Sequence, residues 1–259
     1  MSRFIDKLKQ LSRTEPQAIG FRTKQLATAK LKIQLVASLP QDSAGGLTDR
    51  VRGADAGLLR ISRLSSSAKI LENIAQTMPD IPWGGWLQGG QDDIQALTKV
   101  KCDFVVFPAA TTPLASIQND EVGKILEVEP SLTEGLLRAV NELPVDAILI
   151  SSEKSYLLTW QHLMLFHRLS AILNKPVLAA IPAEVTANGL QALWEAGLSG
   201  VIVDVTAEQP QDRLKELRQM IDNLTFPVSS QRKGRGPLLP HIAHGTSTVS
   251  GEEEEEEEE

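Results

Sequence analysis

The stretch NKPVLAAIPAEVTANGLQALWEAGLSGVIVDV, residues 174–205, decides the fold. It contains two short apolar runs, PVLAAIP from Pro176 and GVIVDV from Gly200, of the length and aliphatic content of strands covered on both faces. Between them, TANGLQALWEAG has helical periodicity and ends in a glycine suited to a C-terminal cap. Strand, helix and strand in this order form one parallel βα unit. Six further runs extend the pattern upstream: KIQLVAS from Lys32, GLLRIS from Gly57, IPWGGWLQ from Ile81, DFVVFPA from Asp103, GKILEVE from Gly123 and DAILISS from Asp146. Their starts lie roughly 20 to 30 residues apart, the length of a βα unit with its loops. Eight strands at that spacing predict closure into a (β/α)8 TIM barrel of the α/β class.

The crossovers bear on the count. After the second strand, SSSAKILENIAQTM offers serine caps and then Ile70, Leu71 and Ile74 at helical spacing. After the fifth, SLTEGLLRAVNELP carries the capping-box pair Ser131 and Glu134 and stops before Pro144. The sixth crossover, Lys154 to Asn174, carries Leu157, Leu158, Trp160, Leu163, Met164, Phe166 and Leu169, so much of its helix is expected to be covered. PQDSAGGLTDRVRGA and ATTPLASIQNDEV leave room for only a turn or two of helix. A doubly wound open sheet is the structural alternative, but no G-x-G-x-x-G fingerprint follows the first strand.

Three segments are expected: an N-terminal amphipathic helix and linker at 1–28, the barrel at 29–228, and a disordered acidic tail at 229–259. Phe4, Ile5, Leu8 and Leu11 make an apolar stripe on a basic helix, read as a lid over the N-terminal mouth or a homo-oligomer contact in preference to a membrane-surface anchor. The tail holds His241 and His244 and lacks a core pattern.

With 259 residues, 42% of them hydrophobic, the chain suits one large domain. The net charge of −7 includes eight glutamates at 252–259, so the barrel itself is close to neutral. Neither a nucleic-acid surface nor a strongly acidic one is read from it. No apolar run reaches the length of a membrane span, and MSRFIDKLKQLSRTEP lacks the apolar core of a secretory signal. The single cysteine, Cys102, excludes an intramolecular disulfide and reads as a packing residue. A cytoplasmic protein is expected, with a small molecule as its ligand and neither membrane nor nucleic acid as its partner.

In barrels of this kind the site lies at the C-terminal ends of the strands. Alternation assigns Val201, Val203 and Val205 to the helix layer and turns Ile202, Asp204 and Thr206 inward. By the same rule Leu126 and Val128 face the helices while Glu127 and Glu129 face in, one above the other. Leu59 and Ile61 face out while Arg60 and Ser62 face in. Glu184 follows Pro182 just past the seventh strand. The resulting rim holds Glu127, Glu129 and Asp204 as acid/base residues and Arg60, Gln88, Lys154 and Glu184 as substrate contacts. Gln34, Ser38, Trp86 and Ser152 are neighbours.

Inward charges are costly unless paired or wet, so this concentration asks for a reason. One is a structural salt bridge between Arg60 and Glu127. The other is a site where Arg60 binds an anionic group and a carboxylate acts as general base or Mg2+ ligand. A histidine zinc site is not read, because His162 and His167 fall in the sixth helix. Lys154 stands where a Schiff-base lysine would, but at a helix start, and Glu127 and Glu129 share a strand whereas glycosidase carboxylates face each other across the substrate.

Residues 174–205 resemble the seventh and eighth units of phosphate- and flavin-binding barrels, such as the nitronate monooxygenase-like and dihydroorotate dehydrogenase-like enzymes. In those families a helix ending in alanine and glycine leads into a final valine-rich strand. The resemblance implies the barrel fold and, as one reading, a flavin-binding oxidoreductase. The chain departs from these families where the phosphate would sit: IPAEVTANG replaces the glycine-rich loop, and Asp204 and Thr206 end the last strand. The fold is carried over and the cofactor is left unassigned. Three functions are therefore expected to compete: a site for a small anionic metabolite, a flavin barrel, and a non-catalytic interaction module.

Overall fold

The computed structural model describes residues 2–12, 32–40, 50–61, 74, 78–88, 102–116, 121–151, 157–205 and 212–225. Every one of the eight apolar runs is a strand: β1 Gln34–Leu39, β2 Ala56–Ile61, β3 Trp83–Leu87, β4 Phe104–Pro108, β5 Gly123–Val128, β6 Ala147–Ile150, β7 Val177–Ile181 and β8 Gly200–Asp204. Neighbours in sequence pair in parallel, and β1 pairs with β8, so the sheet closes on itself. Closure removes the open-sheet alternative.

The described helices are α1 Arg3–Ser12, α2 Glu134–Val140, α3 Trp160–Ile172, α4 Ala187–Glu195 and α5 Arg213–Asp222, and a 3-10 turn, Leu114–Ser116, occupies the fourth crossover. Of the second crossover helix only Ile74 is described, helical and buried. The expected tail at 229–259, with His241 and His244, lies outside the described residues, as does the linker part of 1–28.

Strand alternation sorts the aliphatic residues into two separate clusters. The outer one, between sheet and helices, takes Leu35, Leu59, Ile61, Leu126, Val128, Val201 and Val203. The lumen cluster takes Val36, Leu58, Trp86, Phe104, Val106, Ile125, Leu149, Leu178 and Ile202, and with them Phe4, Ile5 and Leu8 of α1. The N-terminal stripe is thus a lid seated in the N-terminal mouth. Phe4, Ile5 and Leu8 are each at most 3% exposed, and such burial contributes about 1.5–3 kcal/mol per side chain, whereas Leu11, the fourth residue of the stripe, is half-buried and outside the lumen cluster. Gly123 makes the seat possible, because a Cβ there would lie 2.4 Å from Ile5 Cγ1.

Aspartates standing just before β2, β4 and β6 build the same end of the barrel. Asp55 donates its N–H to the Leu35 carbonyl (2.8 Å) and accepts from Leu35 N–H (2.9 Å). Asp146 makes the same pair with Lys124 (2.8 and 3.0 Å). Asp103 donates to the Trp83 carbonyl (2.8 Å) but turns its carboxylate to α1. There it accepts from Ser2 Oγ (2.7 Å), Arg3 N–H (2.9 Å) and Phe4 N–H (3.0 Å). These amides have no intrahelical partner, so Asp103 caps α1 from another element. Lys9 of α1 pairs with Asp146 at 2.6 Å.

Two local expectations fail. The capping box of Ser131 and Glu134 does not form: the cap position is Thr133, with no side-chain hydrogen bond. Ser131 instead donates to Glu129 (3.2 Å), and Glu134 pairs with Arg138 one turn on (2.6 Å). Helix α3 is covered less than expected. Phe166 and Leu169 are buried, but Trp160 and Met164 are 82% and 73% exposed, because they share the face opposite the sheet. The capping box that does form joins Thr159 and His162: His162 N–H donates to the Thr159 hydroxyl (3.4 Å) and the Thr159 backbone N–H donates to His162 Nδ1 (3.1 Å). Gly197 follows α4 at φ +96°, the left-handed conformation expected of that glycine.

Candidate functional site

The C-terminal end of the lumen is built by residues flanked on their strands by outer-cluster neighbours and therefore turned inward. Ser38 on β1, Arg60 on β2, Glu127 on β5 and Asp204 on β8 follow this rule, and Trp86 on β3 belongs to the lumen cluster. Register sets them at one level on neighbouring strands: Ser38 stands beside Asp204, and Arg60 beside Trp86.

These side chains form a continuous chain of contacts. Arg60 donates from Nη2 to Asp204 Oδ1, reaching past β1 to do so. Its guanidinium carbon lies 5.2 Å from the centroid of the Trp86 ring, a cation–π distance. Trp86 in turn donates its indole N–H to Glu127 Oε2 at 2.8 Å. The Arg60 side chain is 20% exposed and that of Asp204 43%, so the ion pair opens to solvent on the aspartate side. Among the described residues, Arg60 Nε and Ser38 Oγ are buried without a hydrogen-bond partner, an arrangement rare in interiors. The Glu127 carboxyl titrates above its ordinary range, because burial outweighs the opposing effects of the Trp86 hydrogen bond and the Arg60 charge.

The salt bridge expected between Arg60 and Glu127 is therefore replaced by two separate bonds, Arg60 to Asp204 and Trp86 to Glu127. The reason is lateral distance: the indole lies between guanidinium and carboxylate and satisfies one with its face and the other with its edge. The remaining rim residues stand apart. Glu129 lies past the end of β5, exposed, and accepts from Ser131, so it does not stack inward above Glu127. Gln88 follows β3, is exposed, and donates its backbone N–H to the Ile61 carbonyl at 3.1 Å. Glu184 is exposed in the loop between β7 and α4. Lys154, Ser62, Ser152 and Thr206 lie outside the described residues.

Two residues carry more than their sequence context announced. Trp86 is the hub of the array, and its signal was its register opposite Arg60. Arg213, at the start of α5, donates to the carbonyls of Ala183 (2.7 Å) and Val185 (2.9 Å) and so fixes the loop after β7. Nothing in the sequence marks that role. Cys102 is buried at the opposite end, with its thiol pushed up to about 12 by desolvation, which removes it as a nucleophile. Among the described residues no group of three histidine, cysteine or acidic side chains converges to hold a metal ion. Among them, too, no helix is long and apolar enough to cross a membrane.

No protein-family model and no curated protein matches the chain. Solved structures do match. The thiamine phosphate pyrophosphorylase of Pyrococcus furiosus superposes with a TM-score of 0.58 at 16% identity, over 73% of this chain and 96% of that one. A variant of the tryptophan synthase α-subunit from the same hyperthermophile gives a TM-score of 0.58 at 12% identity, over 74% and 98%. The fold is the TIM barrel. A designed cube-shaped, porous protein cage also matches, with a TM-score of 0.53 at 17% identity over 74% of this chain and 71% of that one. Identities this low establish the shared barrel and nothing about chemistry.

Proposed function

We propose that the C-terminal mouth of the barrel binds a small anionic metabolite through Arg60, with Glu127 as the group that exchanges a proton with it. The carrying observation is the array Asp204–Arg60–Trp86–Glu127, drawn from four different strands at one end of the lumen. Ionisable groups turned into a barrel are costly to stability and are retained where they serve a ligand. A guanidinium held over an indole face keeps a fork of N–H donors whose geometry suits a carboxylate or phosphate. Burial pushes the Glu127 carboxyl above its ordinary range, the direction that suits a group exchanging a proton with a bound ligand.

Asp204 serves in this reading as the counter-ion that keeps Arg60 placed until an anion arrives, and then as a second acid/base group. Gln88, Glu129 and Glu184, exposed just past the ends of β3, β5 and β7, serve in this reading as outer substrate contacts, and Lys154, outside the described residues, is kept as a fourth. A phosphate in the loops after β7 and β8 is disfavoured by Glu184 and Asp204, so the anion is placed over β2 and β3. With no acidic triad to hold it among the described residues, a divalent metal is left out of the proposal.

A thermal-shift screen of the full chain against inorganic phosphate, pyrophosphate and a panel of small mono- to tricarboxylates tests the reading. An anion at one hundred times its Kd stabilises by about 2.7 kcal/mol, which raises the melting temperature of a barrel this size by roughly 5–10 °C. Arg60→Ala is expected to remove the rise. A rise that survives in Arg60→Ala, or a flat response across the panel, contradicts the proposal.

A further inference from the structure

The Trp86 indole touches both groups on which the proposed function rests, and it does so with parts of opposite polarity. An aromatic face is electron-rich and its edge electron-poor, most of all at the indole N–H. Arg60 lies over the face and Glu127 accepts from the edge, so one rigid ring holds a cation and a carboxylate apart within a single contact each. Trp86 is buried, and its backbone is fixed in β3 between Arg60 of β2 and Val106 of β4.

We propose that Trp86 is the positioning residue of this site, coupling the charge balance around Arg60 to proton occupancy of Glu127, so that loading Arg60 with an anion draws a proton onto Glu127. The loading half rests on the anion-binding function proposed above; the coupling half does not. The physical cause is direct. The guanidinium favours the ionised carboxylate, Asp204 cancels part of that influence, and an arriving anion cancels more.

Other elements around Glu127 contribute little charge. Its register neighbours Pro108 on β4 and Leu149 on β6 are uncharged. On its own strand Glu129 lies beyond the end, and Glu184 in the loop after β7 is exposed. Arg60 from β2, paired with Asp204 from β8, is thus the ionic influence that the described neighbours bring to Glu127. Removal of the indole N–H and face would free both side chains to approach each other or solvent, and the coupling would lose its fixed geometry.

The test is a pH titration of tryptophan emission on the full-length protein. The difference between the parent and Trp86→Phe isolates Trp86 from Trp83, Trp160 and Trp194, and circular dichroism confirms that each variant folds. The parent is expected to show an emission step that Glu127→Gln abolishes. Arg60→Gln moves the midpoint to higher pH, while Arg60→Lys keeps it near the parent value. Sulfate, whose charge is constant over the range, moves the parent midpoint in the same direction and leaves Arg60→Gln unaffected.

A step that persists in Glu127→Gln, or a midpoint that Arg60→Gln leaves in place, overturns the coupling. If Arg60→Gln moves the midpoint and sulfate does not, the coupling stands and the loading half is overturned. Should Trp86→Phe not fold, the difference between parent and Glu127→Gln supplies the same step.

Discussion

Glu127 shows the tension between stability and site most clearly at the level of single residues. Its carboxyl is partly desolvated, and burial raises its pKa above the value of 4.5 that an exposed glutamate has. Below that value the group is protonated in both folded and unfolded chains and costs nothing. As pH rises from there through the folded-state pKa, the unfolded chain ionises first, so the group progressively destabilises the fold. Glu127→Gln keeps the acceptor for Trp86 and removes the ionisation. Urea denaturation is expected to find Glu127→Gln at least as stable as the parent at pH 7, with the advantage vanishing at pH 4. A variant less stable at neutral pH would mean that the ionised carboxylate supports the barrel. Strand alternation alone is enough to turn Arg60, Glu127 and Asp204 inward, since each is flanked by aliphatic residues of the outer cluster. Which of them bond is not legible that way. The pairing depends on Arg60 reaching past β1 and on an indole standing between it and Glu127, and both follow from register rather than from periodicity.

Among the elements, α1 has the most to test. Its apolar stripe, Phe4, Ile5, Leu8 and Leu11, was legible because it repeats at helical spacing on an otherwise polar segment, and a stripe of that kind needs a surface to cover, which the first three find in the lumen. Its anchor was not legible, because Asp103 lies a hundred residues away and caps the helix through space. Phe4 is fully buried and its ring lies 4.7 Å from that of Phe104. Phe4→Ala is expected to cost about 3–5 kcal/mol in denaturant unfolding, and Asp103→Ala about 1–3 kcal/mol through the lost cap. A cost below about 0.5 kcal/mol for Phe4→Ala would show that the helix leaves the mouth open in solution. Elsewhere the local signals were less reliable. Ser131 and Glu134 have the spacing of a capping box, yet each takes another partner, Glu129 and Arg138. In α3 the apolar content predicted cover on faces that a helix in the outer ring of a barrel exposes.

For the molecule as a whole, eight strand-like runs at even spacing were sufficient for the barrel, because parallel strands need crossovers of that length and a closed sheet leaves no edge. α1 closes the N-terminal mouth, and the Arg60 array stands at the opposite, C-terminal end of the lumen. The solved barrels with which the chain superposes are at most 17% identical among those compared, so the chemistry has to be read from the array itself. The most direct test is a crystal structure of the protein grown with the anion that gives the largest thermal shift. Density for that anion against the Arg60 guanidinium, over β2 and β3 and beside the Trp86 ring, is the predicted result. An anion seated in the loops after β7 and β8, or anywhere that leaves the Arg60–Asp204 pair untouched, would contradict it.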